Sequence, residues 1–155
     1  MSSVFTSLIA VLGTLLGAIV TYSFQRQTAQ RAERFVRHER LRQERMSAYS
    51  GFAEAAMEYR HEELTRWLHG RRGLIDTDQE KTWREQGRAR AATWQARFRV
   101  QLLADDPKLV QLADEAINAV AAIHHATDTG DLQDHGARTR QGIEKFITAA
   151  SADIR

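Results

Sequence analysis

The chain has 155 residues, a net charge of +2, no cysteine and one proline. These counts exclude a disulfide framework and thiolate chemistry, and no alternating Val/Ile/Thr run points to a sheet. The charge is unevenly spread: residues 1–75 hold 11 basic and 7 acidic side chains (+4), and residues 76–155 hold 11 basic and 13 acidic (−2).

The first element is residues 4–24, VFTSLIAVLGTLLGAIVTYSF. It carries no charge over 21 residues, and 11 of them are Val, Leu, Ile or Phe. As a helix it measures about 30 Å, the thickness of a bilayer's hydrocarbon core. Its large aliphatic and aromatic residues favour insertion by about 3–7 kcal/mol. The pattern predicts a single transmembrane helix. A cleavable signal peptide fits less well. Met1-Ser2-Ser3 has no basic residue, the apolar run is too long, and Thr21-Tyr22-Ser23 is a poor cleavage site.

Gly13 and Gly17 form a G-x-x-x-G pair, with Ala10, Thr14 and Ala18 one position round. Small residues let two membrane helices approach closely, so this row is a candidate face for a homodimer. No basic residue precedes the span, whereas Arg26, Arg31, Arg34, Arg37, Arg40, Arg42 and Arg45 follow it. The positive-inside rule then puts the N-terminus outside and the rest of the chain in the cytoplasm.

Residues 25–45 contain no Pro or Gly and are rich in helix formers. The helix is expected to leave the bilayer unbroken as a polar stalk. An anionic leaflet acts only within a Debye length of roughly 8–10 Å. On an upright stalk that zone takes in Arg26 and Arg31, with Arg34 at its edge; these three are the candidate contacts to an anionic surface. The more distant arginines serve either as a solvated face or as phosphate contacts.

Residues 46–68 carry a helical stripe of Met46, Tyr49, Ala53, Ala56, Met57, Leu64, Trp67 and Leu68. The cluster His69-Gly70-Arg71-Arg72-Gly73 predicts a loop. Thr77-Asp78-Gln79-Glu80 has the capping-box pattern and predicts a second helix to about Ala104, with Trp83, Gly87, Ala91, Trp94, Phe98 and Leu102 on one stripe. Asp106-Pro107 predicts the start of a third helix, with Asp106 as N-cap and Pro107 in the first turn. Its apolar positions are Leu109, Leu112, Ala113, Ala116, Ile117, Val120 and Ile123. Residues 127–130 read as a turn with Asp131 as cap, followed by a last helix over 132–153 bearing Leu132, Ile143, Phe146, Ile147 and Ala150. The fold class is therefore all-α. The transmembrane helix (4–24) continues through a stalk (25–45) into a cytoplasmic antiparallel four-helix bundle (46–155). Trp67, Trp83, Trp94, Phe98 and Phe146 are expected in its core.

The sequence offers little chemistry. Glu58-Tyr59-Arg60-His61 gives one Glu-x-x-His unit, but a carboxylate-bridged di-metal bundle needs two. His124 and Asp128, spaced i and i+4, are better placed for a local ion pair. There is no G-x-S-x-G, no P-loop and no G-x-G-x-x-G. The expectation is a non-enzyme with no catalytic residue, no metal site and no cofactor.

The phrases VLGTLLGAIVTYSFQRQ, LRQERMSAYSGFAE and FRVQLLADDPKLVQLA resemble a group of small actinobacterial membrane proteins, some labelled as similar to the plasmid-spread protein KilB. The resemblance implies a membrane protein accessory to conjugative plasmid transfer. It carries over no functional residues. Two readings follow. One is a membrane-anchored adaptor whose cytoplasmic bundle binds a protein partner. The alternative is a membrane-tethered binder of plasmid DNA that uses the arginine stalk.

Overall fold

The computed structural model describes the backbone of residues 2–72 and 77–154, and the side chains of 33, 35–71, 81 and 83–154. Four helices follow in order: α1 (Ser2–Arg72), α2 (Thr77–Leu103), α3 (Pro107–Ala121) and α4 (Thr129–Asp153), with a 3₁₀ turn (Ala122–His125) between the last two. No strand occurs among the described residues. The chain divides into two units, 1–41 and 42–155. In the first unit, Phe35 and Val36 expose most of their surface.

Among the described residues no helix is long and apolar enough to cross a membrane. The predicted span 4–24, its Gly13 and Gly17, and Arg26, Arg31 and Arg34 lie outside the residues whose side chains the structure describes.

In the second unit the helices form an up-down-up-down bundle. Tyr49 on α1 donates to Asp153 at the end of α4 (2.6 Å), while Arg60 lies over Gly136 near the start of α4, so the two helices run antiparallel. Thr93 of α2 donates to the Ala55 carbonyl of α1, and Gln86 to Glu63. Thr139 of α4 donates to the Ala119 carbonyl of α3. Each threonine also bonds the carbonyl four residues back in its own helix. A single hydroxyl thus satisfies itself and ties two backbones together in a buried position.

The main core joins Tyr49, Phe52 and Ala56 of α1 to Val100, Leu109, Ala113, Ile117, Ile143 and Phe146. A second cluster joins Tyr59 to Ala89, Val120, Ile123, Ala126 and Leu132. Small residues let α3 and α4 close up: a Cβ on Gly142 would lie 3.6 Å from the Ala116 Cα. Asp106 caps α3 by accepting from the Lys108 amide (2.8 Å), with Pro107 at the first position.

Several expectations need correction. On α1 the buried positions are Ala48 and a row of Tyr49, Phe52, Ala56, Tyr59 and Glu63, whereas Met46, Met57 and Leu68 are exposed. The buried row keeps a 3-4-3-4 spacing that follows the bulkiest rings, and the exposed methionines flank it. On α2 the expected core stripe faces outward. Trp83 and Phe98 are 66% and 53% exposed, and the helix buries Ala89, Thr93 and Val100 instead. Those smaller residues allow the close approach to α1 that the Thr93 hydrogen bond requires. Of the expected core aromatics only Phe146 is fully buried. Trp67 and Trp94 are partly buried against the core.

The cap of α4 is Asp128 rather than Asp131. Asp128 accepts from the Asp131 amide, and Asp131 reaches back to accept from the Thr127 amide. Its carboxyl is held below the usual range, first by that amide. The His124–Asp128 pair does not form, because the 3₁₀ turn brings the His124 ring to the Ala121 carbonyl while Asp128 serves the helix. The capping box at 77–80 lies outside the described side chains.

Candidate interaction surface

The outward face of α2 is built from an apolar row at i, i+4 and i+3 spacing: Trp83, Gly87, Ala91, Trp94, Phe98 and Leu102. Its outer members are exposed by 66% (Trp83), 53% (Phe98) and 83% (Leu102). Trp94 leans on Phe98 with ring centroids 6.2 Å apart and packs its other side against the core. The row runs for about 28 Å along the helix axis. A contiguous apolar surface of this kind marks a contact site far more often than scattered surface residues do.

The rim of the row is basic. Over residues 81–103 the chain carries six basic residues (Lys81, Arg84, Arg88, Arg90, Arg97, Arg99) and one acid, Glu85. Glu85 pairs with Lys81 at 3.9 Å. Arg97 turns the other way. It makes a two-pronged contact with Asp114 of α3, at 2.7 and 2.8 Å, which locks α2 to α3 and holds the guanidinium's proton more tightly. With Arg97 engaged, Arg88 and Arg99 remain exposed beside the apolar row.

A smaller apolar cleft of about 310 Å³ lies between α1 and α4, lined by Met46, Tyr49, Ala53, Phe146, Ile147 and Ala150. The bundle's interior holds one carboxylate on the α1 core row. Glu63 accepts from Gln86 (2.7 Å) and lies 3.9 Å from Arg66. Burial, and then the Glu63 charge, push the neighbouring Tyr59 hydroxyl up to about 12. Glu58 and His61 are exposed on α1, and no group of three metal-ligating side chains occurs among the described residues.

A family model described as KilB plasmid transfer protein matches residues 46–154, the greater part of the chain. The chain belongs to the KilB plasmid transfer protein family. No curated protein and no solved structure matches it. The matched region contains the whole α2 surface and both core clusters.

The structure also places two arginines of the expected stalk. Arg42 donates to the Ile154 carbonyl (3.2 Å), and Arg45 pairs with Asp105 at 2.5 Å, its proton held more tightly by that bond. Both join the start of the bundle to the chain that follows it. Binding phosphate through Arg42 or Arg45 would mean giving up these contacts. The α2 face, by contrast, was visible as a stripe in the sequence. Its outward direction was not, because periodicity carries no sign for inside and outside.

Proposed function

We propose that this KilB-family chain is a non-enzymatic accessory of plasmid transfer, anchored by residues 4–24, whose α2 face docks an acidic amphipathic helix of a transfer-machinery partner. The observation that carries the reading is the exposed row Trp83, Phe98 and Leu102, backed by the half-buried Trp94, with its basic rim. An apolar row at helical spacing suits the apolar face of a second helix. A rim on which Arg88 and Arg99 stand exposed, with the single acid Glu85 already paired to Lys81, selects an acidic partner and repels a second copy of itself. Aromatic anchors at the centre of such a contact typically contribute about 2 kcal/mol or more each.

The uncharged run at 4–24 and the seven arginines after it support an anchored chain with its bundle in the cytoplasm. The test is a triple variant, Trp83→Ser, Phe98→Ser and Leu102→Ser, expressed in a donor strain lacking the native copy. Because these side chains are solvent-exposed, thermal stability and membrane content should hold while transfer frequency falls at least about tenfold. Wild-type transfer by that variant would overturn the docking face. Arg88→Glu with Arg99→Glu should lower transfer in the same way if the partner is acidic.

A further inference from the structure

We propose that Arg60 and Arg140 form a binding site for a phosphate group in the cleft between α1 and α4. Arg60, on α1, is half-buried and stretches across Gly136 of α4, where a Cβ would meet its Nη2 at 3.5 Å. Arg140 lies one helical turn beyond Gly136 on the same face and is exposed. The two guanidiniums line a cavity of about 310 Å³, floored by Leu64 and Leu132 and edged by the Gln133 amide.

No acid lines this cavity, and among the described residues neither arginine forms an ion pair. The Nε of Arg60, like that of Arg45, is fully buried and has no hydrogen-bond acceptor. Arg45 meets Asp105 through its Nη2, whereas the Arg60 guanidinium meets no acid among the described residues. A buried donor on a charged group normally has a partner, because leaving it without one is costly. Burial lowers the proton affinity of Arg60, and the like charge of Arg140 lowers it further; no acidic group offsets either effect.

Every other arginine of the bundle described above as fixed meets an acceptor: Arg42 at Ile154, Arg45 at Asp105 and Arg97 at Asp114. Arg60 and Arg140, by contrast, converge on a concave surface that no acid lines. A phosphate offers several oxygens to two planar forks at once, the geometry that guanidinium recognises best. Glycine at 136 keeps the floor between the forks open.

The phosphate could be a soluble group or a lipid headgroup, and one experiment separates the two. The full chain is reconstituted in nanodiscs of phosphatidylcholine and titrated calorimetrically with inorganic phosphate, with chloride at matched ionic strength as the control. Wild type should bind in a single saturable step. Arg140→Gln should weaken binding at least about tenfold, the value of one charge-assisted contact. Gly136→Asp should abolish it, because the new carboxylate reaches both guanidiniums.

A merely structural pair of cations would predict that Arg140→Gln lowers the melting temperature. Here, in phosphate-free buffer, Arg140→Gln should leave it unchanged or raise it, and Gly136→Asp should raise it. Repeating the titration in discs doped with phosphatidic acid identifies the source. Suppression of phosphate binding there assigns the site to a lipid headgroup, and unchanged binding assigns it to a soluble phosphate. No saturable binding by wild type in phosphatidylcholine discs, or equal binding by wild type and Arg140→Gln, would overturn the site.

Discussion

Phe146 and Trp83 are both aromatic residues on helical stripes, and truncating each to alanine should give opposite results. Phe146 is 0% exposed, and its ring lies 4.6 Å from Phe52 and meets Tyr49 edge-on at 6.2 Å. Removing it forfeits the transfer free energy of a buried ring, about 1.5–3 kcal/mol. The hole it leaves, walled by residues from three helices, raises the total to about 3–5 kcal/mol. Trp83 keeps two-thirds of its surface in solvent, so Trp83→Ala should cost no more than about 0.5 kcal/mol. The assay is thermal and urea unfolding of residues 42–155 followed by circular dichroism, where the unit should be soluble, helical and cooperative. The Phe146→Ala melting temperature should fall by about 12–20 °C. A loss below about 1 kcal/mol for Phe146→Ala, or above about 2 kcal/mol for Trp83→Ala, would refute the assignment of inside and outside.

Gly51 and Gly87 lie within helices and an added Cβ would meet nothing within 4 Å, so Gly51→Ala and Gly87→Ala should each stabilise the unit by about 0.5–1 kcal/mol in urea unfolding. Tyr59 titrates at about 12 in the fold against about 10 in the unfolded chain. Its contribution to stability is therefore complete below about pH 10 and lost as pH rises through 12, and Tyr59→Phe should flatten that alkaline loss in a pH-dependent melting series. Asp128→Ala removes the cap of α4 and should cost about 1 kcal/mol in the same unfolding assay. A reporter active only in the cytoplasm, fused after Arg155, should work if residues 4–24 span the membrane with the N-terminus outside; activity of an export-dependent reporter there would refute that topology.

Local chemistry was the legible part of the sequence. Asp106-Pro107 announces α3 because cap and first-turn proline act within three residues, and the α3 row from Leu109 to Ile123 buries where its period predicts. Asp128 and Asp131 stand three apart, and either can cap a helix; only the structure shows one receiving the Asp131 amide and the other reaching back to Thr127. The α2 stripe was legible as a face but not as an outward one, because the decision lies in how closely Ala89 and Thr93 let α2 approach the Ala55 carbonyl. Glu63 gave no signal of burial, since its acceptor role depends on Gln86, 23 residues away. Arg60 and Arg140 are 80 positions apart (140 − 60), and nothing local in either segment hints that α1 and α4 bring them together.

The α2 row also bears on the lifetime of the protein in the cell. An uncovered strip holding Trp83, Phe98 and Leu102 is the type of surface that chaperones and proteases engage on orphaned subunits. On the docking reading proposed above, copies made in excess of a partner should therefore be shorter-lived than copies whose strip is covered, and a pulse-chase comparison with the Trp83→Ser, Phe98→Ser, Leu102→Ser variant reads that difference.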